Sequence, residues 1–117
     1  MKLMTKEIER KLSPLYSSEG VAPDCIQVAV KYFNPVGAGT WYITEWDGAD
    51  LMFGLCCIHE PELGYVSLSE LKSLRLPYGL SIERDLYWKG TLADAMRIER
   101  YKTSPLPKLR LVIDNTR

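Results

Sequence analysis

Residues 40–58, "TWYITEWDGADLMFGLCCI", decide the fold. Two runs dense in β-branched and aromatic residues flank Asp47-Gly48, a dipeptide that favours the tight turn between antiparallel strands. The stretch predicts a hairpin. Successive strand side chains point to opposite sides, so Tyr42 and Trp46 are expected on one face and Trp41 on the other. One set is expected in the core, and the other as a half-exposed stacking or protein-contact surface. Upstream, Ile26, Val28, Val30 and Tyr32 alternate with Gln27, Ala29, Lys31 and Phe33, the period of a further strand, which Asn34 and Pro35 end. Three antiparallel strands form the expected centre.

The flanks change period. Thr5 is placed to cap a helix that carries Glu7 in its first turn and Ile8, Leu12 and Leu15 on one side, with Pro14 ending it. Tyr65 and Val66 finish a short strand, and Ser67 with Glu70 three residues on then reads as a capping box for a helix bearing Leu68, Leu71 and Leu74. That helix must stop before Pro77. Thr91 with Asp94 forms a similar box for a last helix through about Arg100, with Leu92, Ala95 and Met96 inward. The expected architecture is α+β: an antiparallel sheet of four to five strands with short helices packed on one side. One domain is expected over residues 1–104. Residues 105–117 form a C-terminal tail in which "LRLVI", 109–113, is available as an edge strand or for self-association.

A chain of 117 residues is long enough to bury one core. Apolar residues at 46% and charged residues at 26% are ordinary globular proportions, which argues against wholesale disorder. Fifteen Lys and Arg balance fifteen Asp and Glu, so no net field draws nucleic acid or an anionic membrane to the whole surface. The same neutrality argues against mimicry of DNA by massed carboxylates. No run approaches the length of about eighteen apolar residues that spans a bilayer, and "MKLMTKEIERKL" has acids where a signal peptide is apolar. A cytoplasmic location is expected. Cys25, Cys56 and Cys57 make an odd count without the spacing of a disulfide framework, and are expected as thiols.

His59 is the single histidine, and neither a G-x-S-x-G nucleophile elbow nor a phosphate-binding glycine loop occurs. Cys56, Cys57 and His59, with Cys25, offer donors for zinc. On a strand, however, Cys56 points away from Cys57 and His59, and small interior side chains explain "GLCC" better. No cofactor and no metal is expected. Carboxylates are better supplied: Glu45, Asp47 and Asp50 stand around the hairpin tip, Glu60 and Glu62 after it, and Glu83 and Asp85 in "LSIERDLYW". Converging, they would suit magnesium or a shared acid and base, although acids at turns more often cap backbone amides.

Within residues 80–88 an extended chain sets Ile82, Arg84, Leu86 and Trp88 on one face and Glu83, Asp85 and Tyr87 on the other, with the two carboxylates roughly 7 Å apart. Arg84 then looks inward, where a guanidinium needs a carboxylate or carbonyls. The favoured reading is a clamp that pins this loop to the core. The alternative is a polar recognition site beside Tyr78, Tyr87 and Trp88.

"MKLMTKEIERKLSPLYSSEG", "TWYITEWDGADLMFGL", "ELGYVSLSEL" and "LSIERDLYW", in this order, resemble the small bacterial proteins grouped as domain of unknown function 2958. The resemblance spans about residues 1–96. It implies an accessory protein of plasmids, integrative elements or phages, and brings no catalytic set with it. The expected function is non-enzymatic binding of a protein partner, from the host or the element, with inhibition of a defence system such as restriction or CRISPR machinery. A metal-dependent hydrolase or nuclease using the carboxylates and a nucleic-acid-binding accessory factor are the alternatives. The binding residues expected are Trp41, Glu45, Trp46, Asp47, Glu83, Arg84, Asp85 and Trp88.

Overall fold

The computed structural model describes residues 1–101. Along them run α1 (Lys6–Lys11), β1 (Ser13–Pro14), β2 (Val30–Phe33), β3 (Thr40–Trp46), β4 (Leu51–Cys57), β5 (Pro61–Ser67), α2 (Leu68–Ser73), β6 (Glu83–Arg84) and α3 (Leu92–Ile98), with 3₁₀ turns at Pro23–Cys25 and Pro77–Gly79. The sheet order is β5-β4-β3-β2-β6, all antiparallel, and β1 lies parallel beside the Glu45–Trp46 end of β3. This is the expected α+β sheet, extended at its edges by β5, which is longer than Tyr65–Val66 alone, and by the two-residue β6. The proposed strand at 109–113 and the boundary at residue 104 lie outside the described residues. No helix among those described is long and apolar enough to cross a membrane.

The hairpin forms where the sequence places it, with an added irregularity. Asp47 closes the tip by accepting the N–H groups of Ala49, Asp50 and Leu51 on one carboxylate oxygen. In the ladder, Ile43 opposes Gly54 and Glu45 opposes Phe53, so Thr44 is an extra residue on β3. Its consequence is a change of parity. Trp41, Ile43 and Trp46 pack into one core and Tyr42 into the other, which corrects the expected pairing of Tyr42 with Trp46. Gly54 permits the close approach at this point, because a Cβ there would stand 1.9 Å from the Tyr42 carbonyl oxygen.

The sheet is therefore covered on both sides, which corrects the expectation of helices packed on one side. Ile8 of α1, Leu68 and Leu71 of α2, and Ile82 pack with Trp41 and Ile43, whereas Leu92 and Ala95 of α3 pack with Tyr42, Leu55 and Val28. The helices divide between the faces because the chain switches sides near Ala29: Ile26 and Val28 join the α3 core, and Val30 and Tyr32 the other. Ala29 marks the crossing, with its N–H bonded to the Ile43 carbonyl at 2.9 Å.

Local signals set the helix starts. Thr5 accepts the Ile8 N–H at 3.2 Å, Ser67 accepts the Glu70 N–H at 3.3 Å, and Thr91 and Asp94 complete a reciprocal box. Helix α1 ends at Lys11, short of the expected end at Pro14, because Ser13 precedes a proline and goes extended. Asp50 joins the hairpin to α2 by accepting the Ser69 N–H at 2.7 Å together with the Ser67 and Ser69 hydroxyls.

Candidate functional site

Asp85 shapes a concave part of the surface. Its N–H donates to the Lys31 carbonyl at 2.9 Å, and its carboxylate accepts the N–H groups of Tyr87 and Trp88, each at 2.9 Å. The chain therefore turns immediately after β6 and does not continue as the extended run to Trp88. Ile82 stays buried while Leu86, expected on the same face, is exposed. The second oxygen lies 3.5 Å from Lys31 Nζ in a pair whose two side chains are partly buried. Burial opposes ionisation of Asp85, yet the two amides and the ammonium outweigh it and hold the carboxyl below its usual range.

Because residues 86–89 leave the sheet, a groove of about 550 Å³ opens between them, α1 and β2. Its apolar lining comes from Ile8, Val28, Val30, Leu86 and Trp88. Four cations, Lys11, Lys31, Arg84 and Lys89, line it against two acids, Glu7 and Asp85. Lys31 is the hinge of this arrangement. Its Nζ stands 5.3 Å from the Tyr42 ring centre and 5.8 Å from that of Trp88, and the two rings meet edge to face at 5.1 Å. Tyr42 donates its hydroxyl proton to Glu99 at 2.7 Å, and burial with the Glu99 hydrogen bond and charge raises its pKa far above the ordinary phenol value.

Arg84 does not find the acceptor expected for an inward guanidinium. Its backbone opposes Tyr32, its N–H faces the Met1 sulfur, and its Nε is buried without a hydrogen-bond partner among the described residues. No ion pair among those residues includes it. The charge does act on Tyr32, whose pKa burial pushes up and Arg84 partly restrains. Glu83 opposes Phe33 in the ladder, so the structure does not set Glu83 and Asp85 side by side along one extended strand.

The remaining expected residues scatter. Trp41 is in the core and Glu45 is fully buried, where its carboxylate accepts the Tyr16 N–H at 2.9 Å and the N–H and hydroxyl of Ser18. Trp46 is partly buried with an indole N–H that has no partner among the described residues. Asp47 is committed to the hairpin tip. No three His, Cys, Asp or Glu side chains converge as a metal-holding group among the described residues. Burial pushes the Cys56 thiol up to about 11 and, with Glu99 nearby, the Cys57 thiol up to about 12, while Cys25 is exposed.

Two features escape sequence reading. Lys31 and Tyr42 meet Asp85 and Trp88 only through the sheet, and no local pattern announces that contact. The second is exposure: Leu74, Leu80 and Leu86 are solvent-facing, and Tyr78 and Tyr87 are 91% and 90% exposed, all within the segment that leads into and out of β6. Alternation places Leu86 on the face of Ile82, and helical spacing places Leu74 with Leu68 and Leu71, so the exposure of these two leucines departs from both patterns.

No curated protein and no solved structure matches the chain. A family model described as "Protein of unknown function (DUF2958)" matches residues 3–102, most of its length and all of the sheet, and the chain belongs to that family.

Proposed function

We propose that this protein is a non-enzymatic binding module that docks on a protein partner through the aromatic rim of residues 74–87. The observation that carries the reading is the pair of almost fully exposed tyrosines, Tyr78 and Tyr87, with three leucines exposed in the same segment. Tyrosine combines a large apolar face with a hydroxyl and loses little freedom on contact, which makes it a preferred anchor of protein interfaces. Exposed large apolar side chains gathered in one segment are the usual mark of a contact surface. The setting implied by the resemblance supports a cytoplasmic accessory role on a bacterial mobile element, with a host restriction or CRISPR complex as the target to be blocked.

The test uses the full chain as bait in nuclease-treated bacterial lysate, alongside the Tyr78→Ala/Tyr87→Ala variant. Both tyrosines are exposed, so the variant should melt within a few degrees of the parent. The expected result is a stoichiometric protein partner, held through high salt by the parent and lost by the variant. Retention by both proteins would remove the rim from the reading, and a partner that dissolves away with salt would mark charge as the cause.

A further inference from the structure

Charge accounting within the groove leads to a site that the docking rim does not explain. Of the two acids in the lining, Asp85 is paired with Lys31 and Glu7 with Lys11, each at 3.5 Å. Arg84 and Lys89 are left without a carboxylate partner among the described residues, so the groove carries two uncompensated positive charges. The two cations differ in cost. Lys89 is exposed and solvated, but Arg84 is half-buried with its Nε shut away from water and without an acceptor. A buried donor left without an acceptor is penalised in proteins, and more so when it is charged. A guanidinium is also the side chain whose forked donors match a carboxylate or phosphate.

The rest of the lining limits what such an anion would be attached to. Trp88 is partly buried, held on one side by Tyr42 and Lys31, and Ile8, Val28 and Val30 add apolar surface beside it. A volume of about 550 Å³ falls in the range of small-molecule sites. We infer that the groove between α1, β2 and residues 84–89 binds a small organic anion, a phosphate monoester or carboxylate on a flat apolar body, with Arg84 receiving the oxyanion, Lys89 adding charge at the mouth and Trp88 contacting the body. Two surplus charges favour a dianion over a monoanion. The inference stands on the groove; Leu86 borders both the groove and the docking rim, but the anchors of that rim, Tyr78 and Tyr87, do not line the cavity.

The experiment is a nuclear magnetic resonance titration of the full chain, following the Arg84 Nε–H and Trp88 indole N–H signals. The probes are phenyl phosphate, benzoate, inorganic phosphate and neutral benzyl alcohol. Phenyl phosphate should shift both signals saturably, bind more tightly than benzoate or inorganic phosphate, and lose about tenfold in affinity with Lys89→Glu. Arg84→Met should abolish the saturable shift of Trp88. The inference is overturned if neither organic anion shifts the two signals, if benzyl alcohol shifts them equally, or if inorganic phosphate binds as tightly as phenyl phosphate. Folded Arg84→Met with unchanged affinity would also overturn it. The comparison of charged with neutral probes on the unmodified chain decides the matter even where Arg84→Met fails to fold.

Discussion

Glu45 shows how far a side chain's role can lie from its apparent chemistry. As one acid among several near a hairpin tip it suggests a ligand or a catalyst, but it is fully buried and holds the loop at Tyr16 and Ser18, where Tyr16 takes a left-handed φ of 70°. Replacing it with alanine takes the acceptor from two part-buried backbone amides. Glu45→Ala should lower unfolding free energy by about 3 kcal/mol, read as a lower urea midpoint at unchanged slope. The thiols divide in the same local way. Cys56 and Cys57 are pushed up to about 11 and about 12 by burial, which leaves little thiolate at neutral pH, whereas Cys25 is exposed. Alkylation of the native protein should therefore label Cys25 first, with the vicinal pair reacting only on unfolding, a result that peptide mass spectrometry reads directly.

At the scale of elements, the bulge at Thr44 is the feature on which the two cores depend. It turns Trp46 to the Trp41 face and leaves Glu45 opposite Phe53. Gly54 sits across from Ile43, where any Cβ would overlap the Tyr42 carbonyl, a backbone atom that cannot swing aside. Gly54→Ala should cost about 3 kcal/mol or prevent folding, measured by thermal and urea unfolding. At Gly64, directly opposite on β5, a Cβ meets nothing within 4 Å. Gly64→Ala should leave the midpoint nearly unchanged, which makes it the control for the loss of glycine as such.

For the whole molecule, acid stability follows from carboxylates that the fold uses as acceptors. The Ala49 amide and its neighbours lower Asp47, the Ser67 hydroxyl and Ser69 lower Asp50, and Thr91 lowers Asp94, while at Asp85 burial is outweighed by the Tyr87 and Trp88 amides. Each has a folded pKa below its ordinary value of 3.8, so its contribution is complete above that value and is lost as pH falls through the folded one. The thermal midpoint should thus stay flat through neutral pH and fall below about pH 4. Asp50→Asn should lower the neutral midpoint and flatten the acid limb, since one group that is protonated on acidification has been removed. A midpoint insensitive to acid would contradict these hydrogen bonds.

The hairpin at residues 40–58, the three capped helix starts and the α+β class are legible in the residues alone, because turn chemistry, capping and side-chain period act within a few residues of each other. The sequence also marked the region of Arg84 and Asp85 as unusual, since charges between apolar neighbours are visible without coordinates. Which face each residue serves follows from long-range packing instead. One extra residue in β3 turns Trp46 to the Trp41 face, a crossing at Ala29 places Ile26 and Val28 in the other core, and the turn at Asp85 leaves Leu86 in solvent. The groove exists for the same reason: Ile8, Lys31, Arg84 and Trp88 are distant in the chain, and their meeting depends on strand order and register, which no local pattern encodes.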